Sequence, residues 1–207
     1  MTRDGVAERV AKRENRPVAQ IIAEWEAKAE RGRVLGTLVH EHIEKVLRGE
    51  SDGQLSFDPF LSFNTQAPEI VAFDRLWSDL APTVSYCKEH IEWVIGDITL
   101  GVAGIVDSML FSPKTGKYHV WDWKTGNFDL HNKWENLLGP FAHLDASKLH
   151  VYSLQLSLYR LIIELNTDLE LGDSYLVHLS EAGAQIHRAV DLREPLLAYL
   201  EELAQPI

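Results

Sequence analysis

The stretch VWDWKTG, residues 120–126, decides the fold class because it reads as a buried strand that carries two opposite charges. Its β-branched and aromatic residues favour a strand, and the closing Thr-Gly is typical of a turn. Side chains alternate between the two faces of a strand, so Asp122 and Lys124 point one way while Trp121 and Trp123 point the other way. On these residues alone, a salt bridge of small energetic value is the simpler interpretation.

Two strand-like segments precede this stretch. HIEWVIGD (90–97) and TLGVAGIVDSMLF (99–111) are rich in β-branched and aromatic residues, and SPKTGK (112–117) is typical of a hairpin turn. We therefore predict a meander of three antiparallel strands. Asp107 lies fifteen positions before Asp122, and pairing across the hairpin is expected to bring the two carboxylates close together.

Helical patterns flank the meander on both sides. After it, we predict an amphipathic helix in LHVYSLQLSLYRLIIEL (149–165), a strand in DSYLVHLS (173–180) and a closing helix at 195–203. Before it, the spacing predicts helices at 18–31, 36–47 and 68–80, with Gly32 ending the first of them. This order predicts an α/β sandwich whose central mixed sheet of about four or five strands is flanked by helices.

The length and composition fit one soluble globular domain. The chain has 207 residues, of which 45% are hydrophobic and 25% charged. We predict a single domain over 1–207, with a helical extension at 1–35, a catalytic core at 36–180 and a hairpin and helix at 181–207. The charged N-terminal residues lack an apolar signal core and no apolar run is long enough to span a bilayer, so we expect a cytoplasmic protein without membrane partners.

The cysteine count and the net charge limit the classes of site and partner. The single cysteine, Cys87, excludes an internal disulfide, a Cys-only metal site and an iron–sulfur cluster. The net charge of −11 argues against a protein that grips long duplex DNA through many phosphates. A surplus of carboxylates is equally compatible with a solvated surface and with a cation site.

The predicted strands bring together groups that suit hydrolysis of a phosphodiester. Close carboxylates such as Asp107 and Asp122 repel each other unless they share a proton or a cation. Mg²⁺ binds a few carboxylate oxygens and completes its coordination with water. The ammonium of Lys124 could orient or deprotonate the attacking water and stabilise charge on a phosphate. Two carboxylates and a lysine on adjacent strands are thus suited to metal-assisted hydrolysis.

Four short motifs occur in a fixed order along the chain: G-T-x-x-H at 36–40, G-x-x-D at 104–107, D-W-K-T-G at 122–126 and Q-x-x-x-Y at 155–159. Each is weak alone, but the ordered set resembles the RecB-like branch of the PD-(D/E)xK nuclease superfamily, to which lambda-type exonuclease is related. The segments from DWKTG onward are also similar to nucleases encoded by tailed phages. The resemblance implies a restriction-endonuclease-like fold for most of the chain.

The resemblance also implies roles for the matched residues. The metal ligands would be His40, Asp107, Asp122 and the backbone carbonyl of Trp123, with His40 ligating a second ion. The catalytic residues would be Lys124, Asp122 and Asp107. His40 taken by itself would more often be structural, and it is the ordered set that favours metal ligation.

Further residues are candidates for contact with substrate. Gln155 and Tyr159 would contact substrate or brace the catalytic strand. Arg31 and Arg33, just before the first motif, are candidates for contact with a phosphate, with plain surface charge as the equal alternative. Glu92 lies on the strand before Asp107, where some members of the superfamily carry an acidic group.

The predicted function is that of a deoxyribonuclease dependent on Mg²⁺ or Mn²⁺, with one or two ions and no iron–sulfur cluster. An exonuclease is favoured over a site-specific endonuclease, in DNA recombination, repair or replication. The implied partners are DNA, a recombination or replication protein and further copies of the chain. Two alternatives stay open, a catalytically silent nuclease fold that binds DNA or protein, and a hydrolase of another phosphodiester such as RNA.

Overall fold

A computed structural model describes residues 3–50, 67–132 and 134–203. The chain divides into two compact units, Met1–Leu38 and Val39–Ile207. The assignment of the whole chain to one nuclease domain, with its three parts, stays a prediction, and residues 204–207 of the third part lie outside the described ranges. Within those ranges, none of the helices combines the length and the apolar character needed to cross a membrane.

The N-terminal unit is built on two helices, α1 (Arg3–Glu14) and the first part of α2 (Val18–Arg48). A small apolar cluster joins them, with Ala7, Ala11 and Ile21 buried at its centre. Helix α2 continues without interruption to Arg48, so the prediction that Gly32 ends one helix and that another begins at residue 36 is wrong. A glycine inside a helix costs only about 1 kcal/mol relative to alanine, and the apolar contacts of the helix on either side of it outweigh that cost.

The larger unit contains a five-stranded sheet in the order β1-β2-β3-β4-β5. Its strands are β1 (Ile91–Asp97), β2 (Val102–Ser112), β3 (Lys117–Lys124), β4 (Leu171–Ser180) and β5 (Gly183–Arg188). All neighbouring pairs are antiparallel except β3 and β4, which are parallel and therefore need a crossover between them. That crossover contains helix α4 (Lys148–Asn166). The predicted α/β class, with its meander, helix and strand around a mixed sheet, is confirmed.

Helices cover both faces of the sheet. On one face, α4 buries its apolar side against the sheet in the main core cluster, which includes Val106, Val120, Leu156, Ile162 and Leu176. On the other face, Phe73 of helix α3 (Pro68–Leu80) meets the ring of Trp123 edge-on at 5.1 Å. Helix α5 (Arg193–Leu203) closes the fold through Leu196, which packs with the buried Phe141.

The register of the meander places three carboxylates in one row across the sheet. Ser108 of β2 pairs with the residue before Glu92 in β1 and with the residue before Asp122 in β3. Glu92 and Asp107 therefore lie between two paired positions of β1 and β2, and Asp107 and Asp122 adjoin the last pair of β2 with β3. The fold therefore concentrates negative charge at the end of β3, where Lys124 follows.

Candidate metal centre

The backbone of Trp123 links the row of carboxylates to helix α2. Its amide donates a hydrogen bond of 3.0 Å to Oδ2 of Asp107, and its carbonyl accepts one of 2.8 Å from Nε2 of His40. The backbone of this residue of β3 is thus held from two sides. His40 reaches it because its neighbours Val39 and Ile43 are buried and fix that end of the helix.

The hydrogen bond to the carbonyl of Trp123 also determines which ring nitrogen of His40 carries the proton. A carbonyl only accepts, so Nε2 carries the proton and Nδ1 of the neutral ring keeps its lone pair. Nδ1 lies 3.7 Å from Oδ2 of Asp107 and 3.9 Å from Oε1 of Glu92. A histidine whose second ring nitrogen donates to a backbone carbonyl is the usual arrangement in metal sites. In this structure the carbonyl of Trp123 orients His40. The role of that carbonyl as a metal ligand stays a prediction, as does that of His40.

His40, Glu92 and Asp107 form a group that could hold a metal ion. One ligand atom of each lies within 4.8 Å of the others, and all three side chains are partly buried. Without a cation, the carboxylate of Glu92 raises the pKa of His40, and Asp107 adds to the effect. Glu92 has a φ of 50°, a left-handed conformation that non-glycine residues rarely adopt and that is concentrated at functional sites.

Asp122 is the most deeply buried carboxylate of the row, with 2% of its surface exposed. Burial raises its pKa to about 7, and the charge of Asp107 adds to the rise. Burial likewise raises the pKa of Asp107. The Oδ2 oxygen of Asp122 is buried, with Nζ of Lys124 2.8 Å away. Two desolvated carboxylates whose charges repel each other are a pair that a divalent cation would stabilise.

Lys124 is the counter-charge to this pair. Its Nζ donates a hydrogen bond of 2.8 Å to Oδ1 of Asp122 and lies at the same distance from Oδ2. Burial by itself would lower the pKa of Lys124, but the charges of Asp122 and Asp107 outweigh it, so the pKa is raised. The side chain is therefore an ammonium at neutral pH and donates its hydrogen bond to Asp122.

The tryptophans of the opening stretch anchor the strand that presents Asp122 and Lys124. Both are buried, and Nε1 of Trp123 donates a hydrogen bond of 3.1 Å to the buried hydroxyl of Ser108. This bond ties β3 to β2 directly beside Asp107. The rigidity of the anchor matters because a catalytic group must be held to within a fraction of an ångström.

Gln155 and Tyr159 meet on one face of α4. Nε2 of Gln155 donates a hydrogen bond of 2.9 Å to the hydroxyl of Tyr159. The ring of Tyr159 lies so close to Gly104 that a Cβ there would come within 2.3 Å of it. Gly104 is thus needed for this close approach, in which α4 packs directly on β2 three residues before Asp107. The roles predicted for Gln155 and Tyr159, contact with substrate or bracing of the strand, stay predictions.

Arg31 and Arg33 both lie on α2 within the N-terminal unit. Arg33 is exposed and forms an ion pair of 2.6 Å with Glu30, and their proposed contact with a phosphate stays a prediction. The sequence interpretation missed two residues, Tyr152, whose ring lies 4.6 Å from Nζ of Lys124, and Lys148, whose Nζ lies 5.5 Å from that ring. Their spacing of four residues places them on one face of a helix.

No protein-family model and no curated protein matches the sequence. The fold is similar to that of a crystal structure from Eubacterium rectale of a protein provisionally named an exonuclease, with a TM-score of 0.50 and 16% sequence identity. The match covers 80% of this chain, and the chain spans 63% of the length of that structure. At this identity the likeness concerns the fold alone. It agrees with a restriction-endonuclease-like fold, and the RecB-like branch stays a prediction.

Proposed function

We propose that the chain is a divalent-metal-dependent DNA nuclease that hydrolyses phosphodiester bonds. The observation that carries the proposal is the meeting of Asp122 and Lys124 with the His40, Glu92 and Asp107 group at the end of β3. A salt bridge on a protein surface would be exposed. The Asp122–Lys124 pair is instead largely buried, and the charge of the neighbouring Asp107 repels that of Asp122. Such perturbed groups are concentrated at functional sites.

The donor set fits a hard divalent cation such as Mg²⁺ or Mn²⁺. Carboxylate oxygens of Asp107, Asp122 and Glu92 with one imidazole nitrogen of His40 form a mixed oxygen and nitrogen site without sulfur. We propose that Asp107 is common to all arrangements because its charge interacts with that of Glu92 and with that of Asp122. These side chains can together bind one or two ions. Glu92 is thereby added to the ligands predicted from the motifs.

Each residue then has a defined task in hydrolysis. When bound, the ion would supply positive charge that polarises the phosphate and acidifies the attacking water. The ammonium of Lys124, fixed by Asp122, would donate hydrogen bonds to the attacking water or to a phosphate oxygen as charge develops there. Trp123 would keep that strand in place through its backbone bonds to Asp107 and His40.

We propose DNA as the substrate and an exonuclease mode of action. The match to the RecB-like motifs and the fold shared with the Eubacterium rectale protein support this choice. The acidic net charge of −11 supports a short binding track, or a partner or further copies of the chain that add basic surface. Recombination, repair or replication of DNA, including that of a phage in its host's cytoplasm, is the proposed setting.

A cleavage assay tests the proposed function. The purified protein is incubated with end-labelled single-stranded DNA, linear duplex, closed circular duplex and RNA of one sequence, each with Mg²⁺, Mn²⁺ or a chelator. We expect metal-dependent shortening of linear DNA from its ends, and little cleavage of closed circles or RNA. Binding of DNA without cleavage in either ion would contradict the proposal and support the silent binding module, and faster cleavage of RNA would support the other hydrolase.

A further inference from the structure

A stripe of four side chains runs along α4 from the core to the solvent beside the site. Tyr159, Gln155, Tyr152 and Lys148 are spaced by four, three and four residues, and such positions lie on one helix face. Tyr159 is buried against Gly104, whereas Lys148 begins the helix and is exposed. The RecB-like motif accounts for Gln155 and Tyr159 only, which leaves the outer half of the stripe without a role.

The ring of Tyr152 lies within reach of two ammonium groups. Nζ of Lys124 is 4.6 Å from the centroid of the ring, and Nζ of Lys148 is 5.5 Å from it. The ring is itself stacked on Phe128, with the centroids 6.0 Å apart and the planes inclined by 21°. A cation over an aromatic face is attracted by the ring, so Tyr152 is a shared contact of both lysines.

The two lysines differ in their counter-charges. Lys124 is paired with Asp122, whereas the Nζ of Lys148 forms no ion pair with any carboxylate in residues 3–50, 67–132 and 134–203. The backbone amide of Lys148 approaches Asp129, at 3.4 Å, but the ammonium is left to the solvent. An unpaired, exposed ammonium that contacts the same aromatic ring as a buried one is placed to receive an anion that extends out of the site.

We propose that Lys148 and Tyr152 form a subsite for a neighbouring phosphate of the bound DNA strand. This inference rests on the proposed function, since it assigns the scissile phosphate to Lys124. Phosphates follow one another along a strand, so a strand whose reacting phosphate lies at Lys124 has another within reach of Lys148. Lysine binds phosphate as a point charge. Tyr152 is a positioning residue that sets the separation of the two cations.

The inference is tested first by binding, without any need for cleavage. A fluorescent single-stranded oligonucleotide is titrated with the protein in Ca²⁺, and the anisotropy is measured over a range of salt concentrations. For Lys148→Ala we expect the affinity to fall by about fivefold. The slope of log K against log salt should become shallower by about 0.7 to 1, as for the loss of one phosphate contact. Lys114→Ala, an exposed lysine in the turn after β2, is the matched control and should leave both quantities unchanged.

Two further variants separate a binding role from a structural one. Lys148→Arg keeps the charge and should retain most of the affinity. Tyr152→Leu keeps an apolar side chain but removes the ring and should weaken binding, and circular dichroism reports whether either variant is folded. Affinity and salt slope of Lys148→Ala equal to those of the wild type would overturn the inference, as would a wild type that does not bind the oligonucleotide.

A second substrate separates the failure of this inference from the failure of the proposed function. A chromogenic diester contains one phosphate and cannot occupy a neighbouring subsite. We expect Lys148→Ala to lower the ratio of kcat/KM on the oligonucleotide to kcat/KM on this diester by about fivefold. An unchanged ratio, in a wild type that cleaves both substrates, would overturn the subsite alone. Wild-type protein that binds the oligonucleotide through Lys148 but cleaves neither substrate would overturn the nuclease assignment and leave the phosphate subsite standing.

Discussion

Replacement of Lys124 by alanine is expected to lower kcat for DNA cleavage by roughly 10²–10³-fold, the usual loss when one preorganised donor to a developing charge is removed. The raised pKa of Lys124 keeps it positively charged at neutral pH, and its bond to Asp122 fixes its direction. The measurement is single-turnover cleavage of end-labelled DNA at saturating Mg²⁺. KM should change little, because the lost interaction strengthens in the transition state.

Controls for this variant distinguish loss of chemistry from loss of structure or metal. Lys114→Ala removes an exposed lysine of the same unit and should cleave DNA at the wild-type rate. Calorimetry should show that Lys124→Ala still binds Mn²⁺, because no proposed ligand has been removed. Wild-type kcat for a folded Lys124→Ala protein would show that the lysine is only the partner of a buried salt bridge with Asp122.

Replacement of Asp122 by asparagine is expected to abolish cleavage and, in the absence of metal, to stabilise the protein. The folded carboxyl has a pKa of about 7 against an ordinary value of 3.8, chiefly because it is buried and also because of Asp107. Between these values the folded state holds a proton that the unfolded state releases, so stability falls as the pH rises through that window. Asparagine removes this destabilisation and can still accept the hydrogen bond from Lys124.

The single-turnover assay described above measures the loss of cleavage, and thermal unfolding at pH 8 measures the change in stability and in metal binding. In a chelator, Asp122→Asn should melt a few degrees above the wild type, since about 1 kcal/mol corresponds to roughly 2–4 °C for a chain of this size. Addition of Mn²⁺ at about 100 times its dissociation constant should stabilise the wild type by about 2.7 kcal/mol and the variant by much less. Lys114→Ala, in the turn before β3 and therefore at the end of that strand away from Asp122, serves as the control. Equal response of wild type and Asp122→Asn to Mn²⁺ would remove Asp122 from the set of ligands.

The part of the site that could be predicted from the sequence is the part that depends on local pattern. Alternation along VWDWKTG separated Asp122 and Lys124 from the tryptophans, and the hairpin turn at 112–117 was sufficient to place Asp107 near Asp122. The bounds of α3, Pro68–Leu80, also followed from helical spacing. These features depend on residues that are close in the sequence or separated by one turn.

Features that depend on distant contacts could not be read in the same way. The continuity of α2 across Gly32 depends on apolar contacts on both sides, which outweigh the weak helix propensity of one glycine. Glu92 joins His40 and Asp107 through a left-handed backbone conformation that its residue type does not predict. The use of the Trp123 carbonyl to orient His40 likewise requires the position of a helix 83 residues earlier in the chain.

The outer half of the α4 stripe was missed for a different reason. Tyr152 and Lys148 lie at regular helical spacing from Gln155, so the pattern was visible, but a lysine at the start of a helix is most often a solvated surface residue. Only the distances from Tyr152 to the two ammonium groups give this lysine a specific place beside Lys124. Spacing identifies the face of a helix, and the structure identifies what that face meets.

The central claim is that the end of β3 is a divalent-metal centre, and a crystal structure of the protein with Mn²⁺ tests it most directly. Anomalous scattering at the manganese edge locates the ion independently of the protein atoms. We predict an anomalous peak within about 2.0–2.3 Å of a carboxylate oxygen of Asp107, with Asp122, Glu92 or His40 completing the protein ligands. The absence of a peak there in crystals that have intact side chains and millimolar Mn²⁺, or an ordered ion held only elsewhere on the chain, would contradict the account.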